Sequence, residues 1–321
     1  MPLTAYKVLF VLAWSSGFIA VDYLYPEAHT SVILFWRYLA ASLSLALPMI
    51  LLRRRRARNL RAWCAARRNV LMRAAAVGVL AHTVWLYAVM EAQRFGVSPG
   101  ANSLINAAQP LLTAALAPLF VGESTSLRLW IGLSVAFAGV ALTVHDSISA
   151  GGSASAHLIP VISVVAMTTS VIIEKSAPHR RRPTTTCPSE AQNSEPALLP
   201  GTALLVQCIA ACVAAGLIMV LVQPEQPDVD AGFFAAMAWV TYIPSLAAYA
   251  LLWIVLRRSS SAETSSVFYF SPPATLFMQA VVLGTPVLAS EIAGSVIVAA
   301  GVALAFSSFG WRHLAARTAR A

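Results

Sequence analysis

The chain has 321 residues, of which 58% are hydrophobic and only 11% are charged, and its formal net charge is +9. An ordinary soluble domain carries about 25% charged residues, so this composition excludes a water-soluble globular protein. The positive charge does not indicate nucleic-acid binding, because most of the arginines occur in alternate segments between apolar runs. That distribution is typical of the cytoplasmic loops of membrane proteins.

Apolar runs long enough to cross a membrane recur along the whole chain. Hydrocarbon about 30 Å thick requires about 20 apolar residues per helix. By this criterion the sequence predicts an all-α polytopic membrane protein with ten transmembrane helices, at Tyr6–Val21, Ser31–Leu52, Val70–Met90, Val97–Val121, Leu127–Val144, His157–Lys175, Gly201–Val222, Gly232–Leu256, Ala262–Gly284 and Val287–Phe309.

The arginines also predict the orientation in the membrane. Clusters follow the second, sixth and eighth runs at Arg53–Arg56, Arg180–Arg182 and Arg257–Arg258, and further arginines close the chain. The intervening loops are acidic, with Arg94 as their one basic residue. Because positively charged loops stay in the cytoplasm, we expect a protein of a bacterial-type inner membrane with both termini cytoplasmic.

Part of the sequence occurs twice. The block Gln109–Leu142 is similar to Pro272–Leu304, and the pattern Gly-x6-Gly-Val-Ala-Leu that starts at Gly132 returns at Gly294. Each copy belongs to a unit of five apolar runs, and an odd number of crossings makes the second unit enter the membrane from the opposite side. The sequence therefore predicts two inverted five-helix repeats, an arrangement typical of secondary transporters.

These repeats define the predicted domains. The first repeat spans residues 1–148, a flexible Gly/Ser/Ala-rich linker spans 149–156, the second repeat spans 157–310, and a cytoplasmic tail spans 311–321. Within the second repeat, residues 176–199 are polar and rich in proline. Such a segment cannot bury enough apolar surface to fold, so we predict a disordered cytoplasmic loop there.

Three amides are spaced along the predicted fourth helix. Asn102, Asn106 and Gln109 lie four and three residues apart, so an α-helix places them on one face. An amide that faces lipid costs several kcal/mol, so this face is expected to point inward. It either lines a substrate cavity or hydrogen-bonds to neighbouring helices. The matching positions of the second repeat are Ser265 and Tyr269, which extend the candidate site.

Prolines stand at equivalent places in the fourth and ninth predicted helices. Pro110 matches Pro273, and Pro272 precedes the latter. Proline removes a backbone donor and clashes with the preceding turn, which kinks a helix. We expect these three prolines to act as matched hinges, where freed carbonyls bind a ligand or relax against a hydroxyl such as that of Ser271.

One arginine falls inside an apolar run. Arg37 lies six residues into the second run, roughly 9 Å along the helix axis, too deep for ordinary solvation. An intramembrane arginine indicates a functional site, and its forked guanidinium suits a carboxylate or phosphate. The alternatives are that Arg37 reaches the outer interface or fixes the second helix against the first.

Aromatic residues recur on two of the predicted helices. His82 and Trp85 are three apart on the third, and Tyr242 and Tyr249 share helical spacing on the eighth. Together they predict an aromatic pocket suited to flat solutes or cations. Plain helix packing is the alternative for each ring, and His82 is either a carrier of a coupling proton or a structural histidine.

The acidic residues add little to this candidate site. Glu91, Glu174 and Glu291 fall near predicted helix ends, so we expect them to be solvated or interfacial. The sequence contains no metal-ligating motif and no nucleotide-binding motif, and we predict neither a metal nor a cofactor.

The order and spacing of several motifs resemble a known family. The chain carries Trp14-Ser-Ser-Gly17-Phe, Arg37, Gly96-Val-Ser, Gln109-Pro110, Gly122-Glu123 and Gly132…Gly139-Val in that order. In this it resembles the EamA-type members of the drug/metabolite transporter superfamily over nearly its whole length. The resemblance implies ten helices, and it adds Trp14 to the candidate substrate-binding residues.

These observations predict a secondary transporter that works by alternating access, rather than an enzyme. The resemblance implies efflux of amino acids, related metabolites or organic compounds. The expected partners are a small molecule, the lipid bilayer and a coupling proton or cation, with no nucleic acid; the oligomeric state stays open. The alternatives are a flippase for a lipid-linked sugar, a membrane enzyme acting on lipid-linked substrates, and a passive channel.

Overall fold

The computed structural model describes residues 1–24, 28–51, 68–121, 127–149, 153–176, 200–225, 227, 230–258 and 267–318, and the regular structure of these residues is helical. Its helices are α1 Leu3–Leu24, α2 Thr30–Leu51, α3 Arg68–Arg94, α4 in two segments Pro99–Asn106 and Gln109–Val121, α5 Leu127–Ser149, α6 Ile159–Lys175, α7 Pro200–Val222, α8 from Ala231 to Arg258, α9 Phe268–Leu283 and α10 Ala289–Thr318.

The helices are those of a polytopic membrane protein. Within the described residues, seven helical segments are long and apolar enough to cross a bilayer, and Phe268–Leu283 and Ala289–Ala305 are shorter apolar helices. Large apolar side chains remain exposed on their outer faces; Leu221 on α7, for example, is 83% exposed. Such a surface is stable in contact with lipid, because hydrocarbon solvates it as well as a protein core does.

Helices α4 and α9 are interrupted where the sequence predicts kinks. In α4, the turn Ala107–Ala108 separates the two segments, and Pro110 stands in the first turn of the second. In α9, a 3-10 turn at Phe268–Phe270 comes before the α-helix that starts at Ser271 and carries prolines in its first turn. Proline is compatible with a first helical turn because its missing N–H has no intrahelical acceptor there.

Two other helices each contain a wide π-helical turn. In α3 the turn is Val79–Val84, and in α8 it is Tyr242–Ala247. A π turn fits extra residues into the helix and rotates the side chains on either side of it. The assumed regular spacing of Tyr242 and Tyr249 is therefore wrong: Tyr242 is 49% exposed and hydrogen-bonds Ser44 at 3.1 Å.

Helices α5 and α10 pack closely through the repeated glycines. A Cβ on Gly139 would lie 2.8 Å from the carbonyl oxygen of Gly294, and one on Gly301 would lie 2.5 Å from that of Gly132. The residue order in these contacts shows that the two helices run antiparallel. In the sequence repeat Gly132 corresponds to Gly294 and Gly139 to Gly301, so the two contacts are equivalent: the first glycine of each helix meets the second glycine of the other.

The buried apolar residues form two main clusters. The larger joins α1, α2, α3, α7 and α8 and includes Ile33, Met90 and Phe233. The second joins α4, α5, α9 and α10 around Leu111 and Val298. Helices of the two halves thus pack together in two places, one around α2 and α7 and the other around the glycine contacts between α5 and α10.

Glu291 differs from its predicted interfacial position. It lies in the first turn of α10 and is only 1% exposed. Its Oε2 accepts from the backbone N–H of Leu288 at 2.9 Å, and its Oε1 accepts from the hydroxyl of Ser98. Because the start of α4 folds over the start of α10, a carboxylate near a helix end is enclosed and still keeps two donors. Glu174 is exposed, as expected.

Several predicted segments lie partly outside the described residues. The predicted loop 176–199 is described only at Ser176, and residues 150–152 of the predicted linker are not described. On either side of this gap, the ring of His157 bonds the carbonyl of Ser153 in the linker at 2.8 Å and the hydroxyl of Ser147 in α5 at 3.0 Å. In the predicted tail, α10 continues as a helix to Thr318.

Candidate functional site

A pocket lies among five helices, three from the first half of the chain and two from the second. It holds about 570 Å³ of space not filled by protein atoms, including its open mouth. It is lined by Trp14, Gly17 and Phe18 of α1, Arg37 and Tyr38 of α2, His82, Trp85, Leu86 and Val89 of α3, Leu204 and Cys208 of α7, and Pro244, Ser245, Leu246 and Tyr249 of α8.

Arg37 is the charged residue of this lining. Its side chain is 6% exposed, and its Nε donates to the Ser245 hydroxyl at 2.8 Å. Ser245 in turn donates to the Val240 carbonyl at 2.8 Å, across the π turn of α8. The guanidinium carbon lies 5.8 Å from the centre of the Tyr38 ring. Within the described residues no carboxylate reaches Arg37, so its charge is unpaired inside the pocket.

His82 makes a second polar contact between the halves. Its Nε2 lies 3.3 Å from the amide oxygen of Gln207 on α7. Arg37 and Gln207 are each the eighth residue of their helices, and His82 and Ser245 are each the fourth residue of a π turn. The bond from α2 to α8 and the bond from α7 to α3 are therefore equivalent by position.

Aromatic rings form a further part of the pocket wall. Trp14 stacks on Trp85 with ring centres 5.6 Å apart and planes at 26°, and Tyr249 meets Trp14 edge-on at 6.1 Å. The His82 ring lies between Tyr38 at 5.4 Å and Tyr249 at 5.5 Å. This wall offers flat apolar surface with few hydrogen-bonding atoms.

The asparagines of α4 lie behind the aromatic wall. The amide oxygen of Asn106 accepts from Trp85 Nε1 at 2.9 Å and from the Ser163 hydroxyl on α6 at 2.8 Å. The Asn106 amide nitrogen donates to the Asn102 carbonyl at 3.0 Å, and Asn102 donates to the Val89 carbonyl at 2.7 Å. This is the hydrogen-bonding alternative considered for these residues, and it fixes Trp85.

The structure gathers Trp14, Arg37, His82, Trp85 and Tyr249 around one pocket, and the other candidate residues that it describes lie elsewhere. Gln109 donates to Thr113 at 2.8 Å on its own helix. Tyr269 is buried in the apolar cluster with Leu104 and Leu111. Ser271 bonds the Ser15 hydroxyl at 3.0 Å, which joins α9 to α1. Ser265 lies outside the described residues.

Sequence reasoning missed Tyr38, Cys208, Gln207 and Ser245. Tyr38 follows Arg37 directly, and Gln207 is the one amide in a long apolar run, so both carried a weak signal. Ser245 follows Pro244, where a helix loses a backbone donor and a hydroxyl can compensate. Their convergence depends on how α7 and α8 pack against α2 and α3, which periodicity does not determine.

Among the described residues, no three His, Cys, Asp or Glu side chains are grouped closely enough to hold a metal ion. The pocket chemistry therefore consists of a guanidinium, an imidazole, hydroxyls, a thiol and aromatic rings.

Comparison with known proteins supports a single family over most of the chain. The sequence profile of the EamA-like transporter family matches residues 4–145 and 194–307. No curated protein matches the sequence. A solved crystal structure, described only as that of a protein, has a TM-score of 0.62 at 16% identity, covering 97% of this chain and 98% of its own. At that identity it shows the fold alone.

Proposed function

Because this chain belongs to the EamA-like transporter family, we propose that it moves a small molecule across the membrane by alternating access at the pocket among α1, α2, α3, α7 and α8. Membership makes it an integral membrane transporter of small molecules. The observation that carries the proposal is the pocket itself, which is enclosed by helices of both halves and contains a buried arginine that no carboxylate of the described residues reaches.

We propose that α1 to α5 and α6 to α10 are two inverted repeats with ten crossings, in which the two segments of α4 make one crossing. The equivalent bonds Arg37–Ser245 and His82–Gln207 support this. The reciprocal contacts of Gly132 with Gly301 and of Gly139 with Gly294 support it independently. Residues 1–148 and 157–310 are then the two repeats, on either side of the linker 149–156.

The helix interruptions are the proposed moving parts. Pro110 and the pair Pro272–Pro273 each follow a segment that is not regular α-helix. Few backbone hydrogen bonds need to change for a helix to bend at such a place. Rocking of one repeat against the other about these hinges would open the pocket to one side of the membrane at a time.

The proposed location rests on the arginine distribution, and the proposed direction rests on the family resemblance. We propose a bacterial-type inner membrane with both termini in the cytoplasm, because the arginine-rich segments alternate along the chain, and we propose export, as the resemblance implies. Since the chain carries no nucleotide-binding motif, we propose that a proton, another cation or the substrate gradient itself supplies the energy.

Counterflow in proteoliposomes tests the proposal. Vesicles loaded with one unlabelled solute from a panel of amino acids, organic acids and organic cations should accumulate the same labelled solute with saturable kinetics, with or without a pH gradient. Trp85→Ala should lower the rate roughly tenfold or more, because it removes a large part of the pocket wall. Trp130→Ala is the matched control, since Trp130 is 48% exposed on α5.

Two results would contradict alternating-access transport of small molecules, and a third would contradict the assignment of the pocket as the substrate site. Flux proportional to the gradient, without saturation, would indicate a channel. Movement of a lipid-linked sugar without counterflow of any soluble solute would indicate a flippase. Equal rates for Trp85→Ala and Trp130→Ala would place the substrate elsewhere.

A further inference from the structure

We propose that the pocket selects small organic acids: a single carboxylate on a flat or branched apolar body, without a cationic group. This inference rests on the proposed function only in taking the pocket as the substrate site. Its evidence is the charge, the hydrogen bonding and the shape of the lining.

The first step concerns the spare donors of Arg37. A guanidinium has five N–H donors, and Arg37 uses only Nε, toward Ser245. The two terminal nitrogens make no hydrogen bond with any described residue. An arginine that is 6% exposed and not neutralised is costly inside a membrane protein. An anion in the pocket would supply both the missing acceptors and the missing charge.

The second step concerns the class of anion. The free edge of the guanidinium presents parallel N–H groups, which fit the two oxygens of a carboxylate. Arg37 is the one arginine among the described lining residues and stays charged, and the other basic side chain there is the imidazole of His82. A single negative charge is therefore matched, whereas a phosphate or dicarboxylate would bring a second charge without a partner.

The third step concerns what the pocket rejects. Among the described lining residues none is acidic, and none belongs to the break in α4. An ammonium group in the pocket would lose its water without gaining an anionic partner and would be repelled by Arg37. The pocket therefore disfavours amines and, less strongly, amino acids, whose own carboxylate offsets part of that cost.

The fourth step concerns the body of the substrate. Beside Arg37 the lining is aromatic, with the Trp14–Trp85 stack on one side and Tyr249 and His82 on another. The polar atom of Trp85 is already bonded to Asn106, so this ring presents apolar surface to the pocket. Flat rings and branched alkyl groups gain dispersion and hydrophobic energy there without needing a hydrogen-bonding partner.

Calorimetric titration of the detergent-purified protein tests the inference with three compounds that share one body. These are 3-phenylpropanoate, phenylalanine and 3-phenylpropylamine. We expect 3-phenylpropanoate to bind most tightly, phenylalanine to bind roughly tenfold more weakly, and the amine not to bind, since an unpaired buried charge costs more than one hydrogen bond. Tighter or equal binding of the amine or of phenylalanine would overturn the inference.

Variants locate the carboxylate. Arg37→Gln should weaken binding of 3-phenylpropanoate roughly 10- to 100-fold, the range expected for a lost charged hydrogen bond. Arg37→Lys, which keeps the charge and loses the fork, should weaken it less. Arg94→Gln is the matched control, because Arg94 is 44% exposed and lies outside the pocket. Equal binding by all three variants would overturn the inference.

The binding measurement separates this inference from the proposed function. Selective binding that depends on Arg37, together with a lack of counterflow, would contradict the transporter mechanism and leave the substrate class standing. Saturable counterflow of amines that is unaffected by Arg37→Gln would support the transporter and refute the substrate class. If Arg37→Gln fails to fold, the three-compound series on the native protein and Arg37→Lys still decide between these outcomes.

Discussion

Asn106 contributes to the pocket by holding Trp85. Its amide oxygen accepts two hydrogen bonds, one from Trp85 and one from Ser163. The first joins α4 to α3 and the second joins α4 to α6, so one side chain fixes three helices at the break in α4. The spacing of the three α4 amides indicated an inward face, and the contacts show that this face bonds to protein.

Asn106→Ala should therefore loosen Trp85 and destabilise the fold. Trp85 Nε1 would lose its acceptor and Ser163 would keep only the Pro160 carbonyl, which costs about 1–3 kcal/mol in the free energy of unfolding. Equilibrium unfolding in SDS-containing micelles measures that loss, and tryptophan fluorescence anisotropy reports the freedom of the ring. The control is Gln109→Ala, which breaks a contact within one helix only. An equal loss in both variants would show that Asn106 does not join the helices.

Two helix N-termini meet at Glu291, which shows how elements from different halves are connected. Glu291 is the third residue of α10 and reaches back to the N–H of Leu288, as in a capping box. Its other oxygen binds Ser98, the N-cap of α4. Both helix dipoles favour a negative charge at this place. Gln279 adds a parallel link, accepting from the Gly100 N–H at 2.9 Å.

Glu291→Ala should lower the free energy of unfolding by about 1–3 kcal/mol, because it leaves the half-buried Ser98 hydroxyl and the Leu288 N–H without their acceptor. Glu291→Gln should cost less, since one amide oxygen can still accept. Glu174→Ala is the matched control at an exposed helix end, where a change within about 0.5 kcal/mol is expected. SDS unfolding curves measure all three, and similar losses at both glutamates would contradict the link between α4 and α10.

At the scale of the whole molecule, the two halves meet through equivalent contacts. The α5–α10 glycines pack reciprocally, and the α2–α8 bond has its equivalent in the α7–α3 bond. The equivalent bonds use different side chains, arginine with serine and histidine with glutamine. The positions of these contacts match between the halves, while among the described pocket residues the guanidinium comes from the first half alone.

Gly301→Ala tests the close approach of the halves. The added Cβ would lie 2.5 Å from the Gly132 carbonyl oxygen and 2.7 Å from the Ala136 nitrogen, so the helices would have to separate. Such overpacking costs about 1–3 kcal/mol. Gly201→Ala is the control, because nothing lies within 4 Å of a Cβ there and alanine should stabilise that helix by about 0.4–1 kcal/mol. A stabilised Gly301→Ala variant would rule out the close contact.

Much of the fold was predictable from sequence because its causes are local. Hydrocarbon requires long apolar helices, so run length and arginine placement alone indicate a polytopic membrane protein. The prolines pointed to the places where α4 and α9 are interrupted. The depth of Arg37 in an apolar run was enough to make it a candidate functional residue, because a charged side chain inside the bilayer is energetically costly.

The membership of the pocket was decided only by tertiary structure. Regular spacing assigned Tyr242 to the pocket, but the π turn of α8 rotates it outward and leaves Tyr249 inside. Glu291 was expected near water, but α4 covers it. In both places the outcome depends on which surfaces meet after the chain has folded. A one-dimensional pattern fixes which side of a helix is polar, and packing between distant helices decides what that side touches.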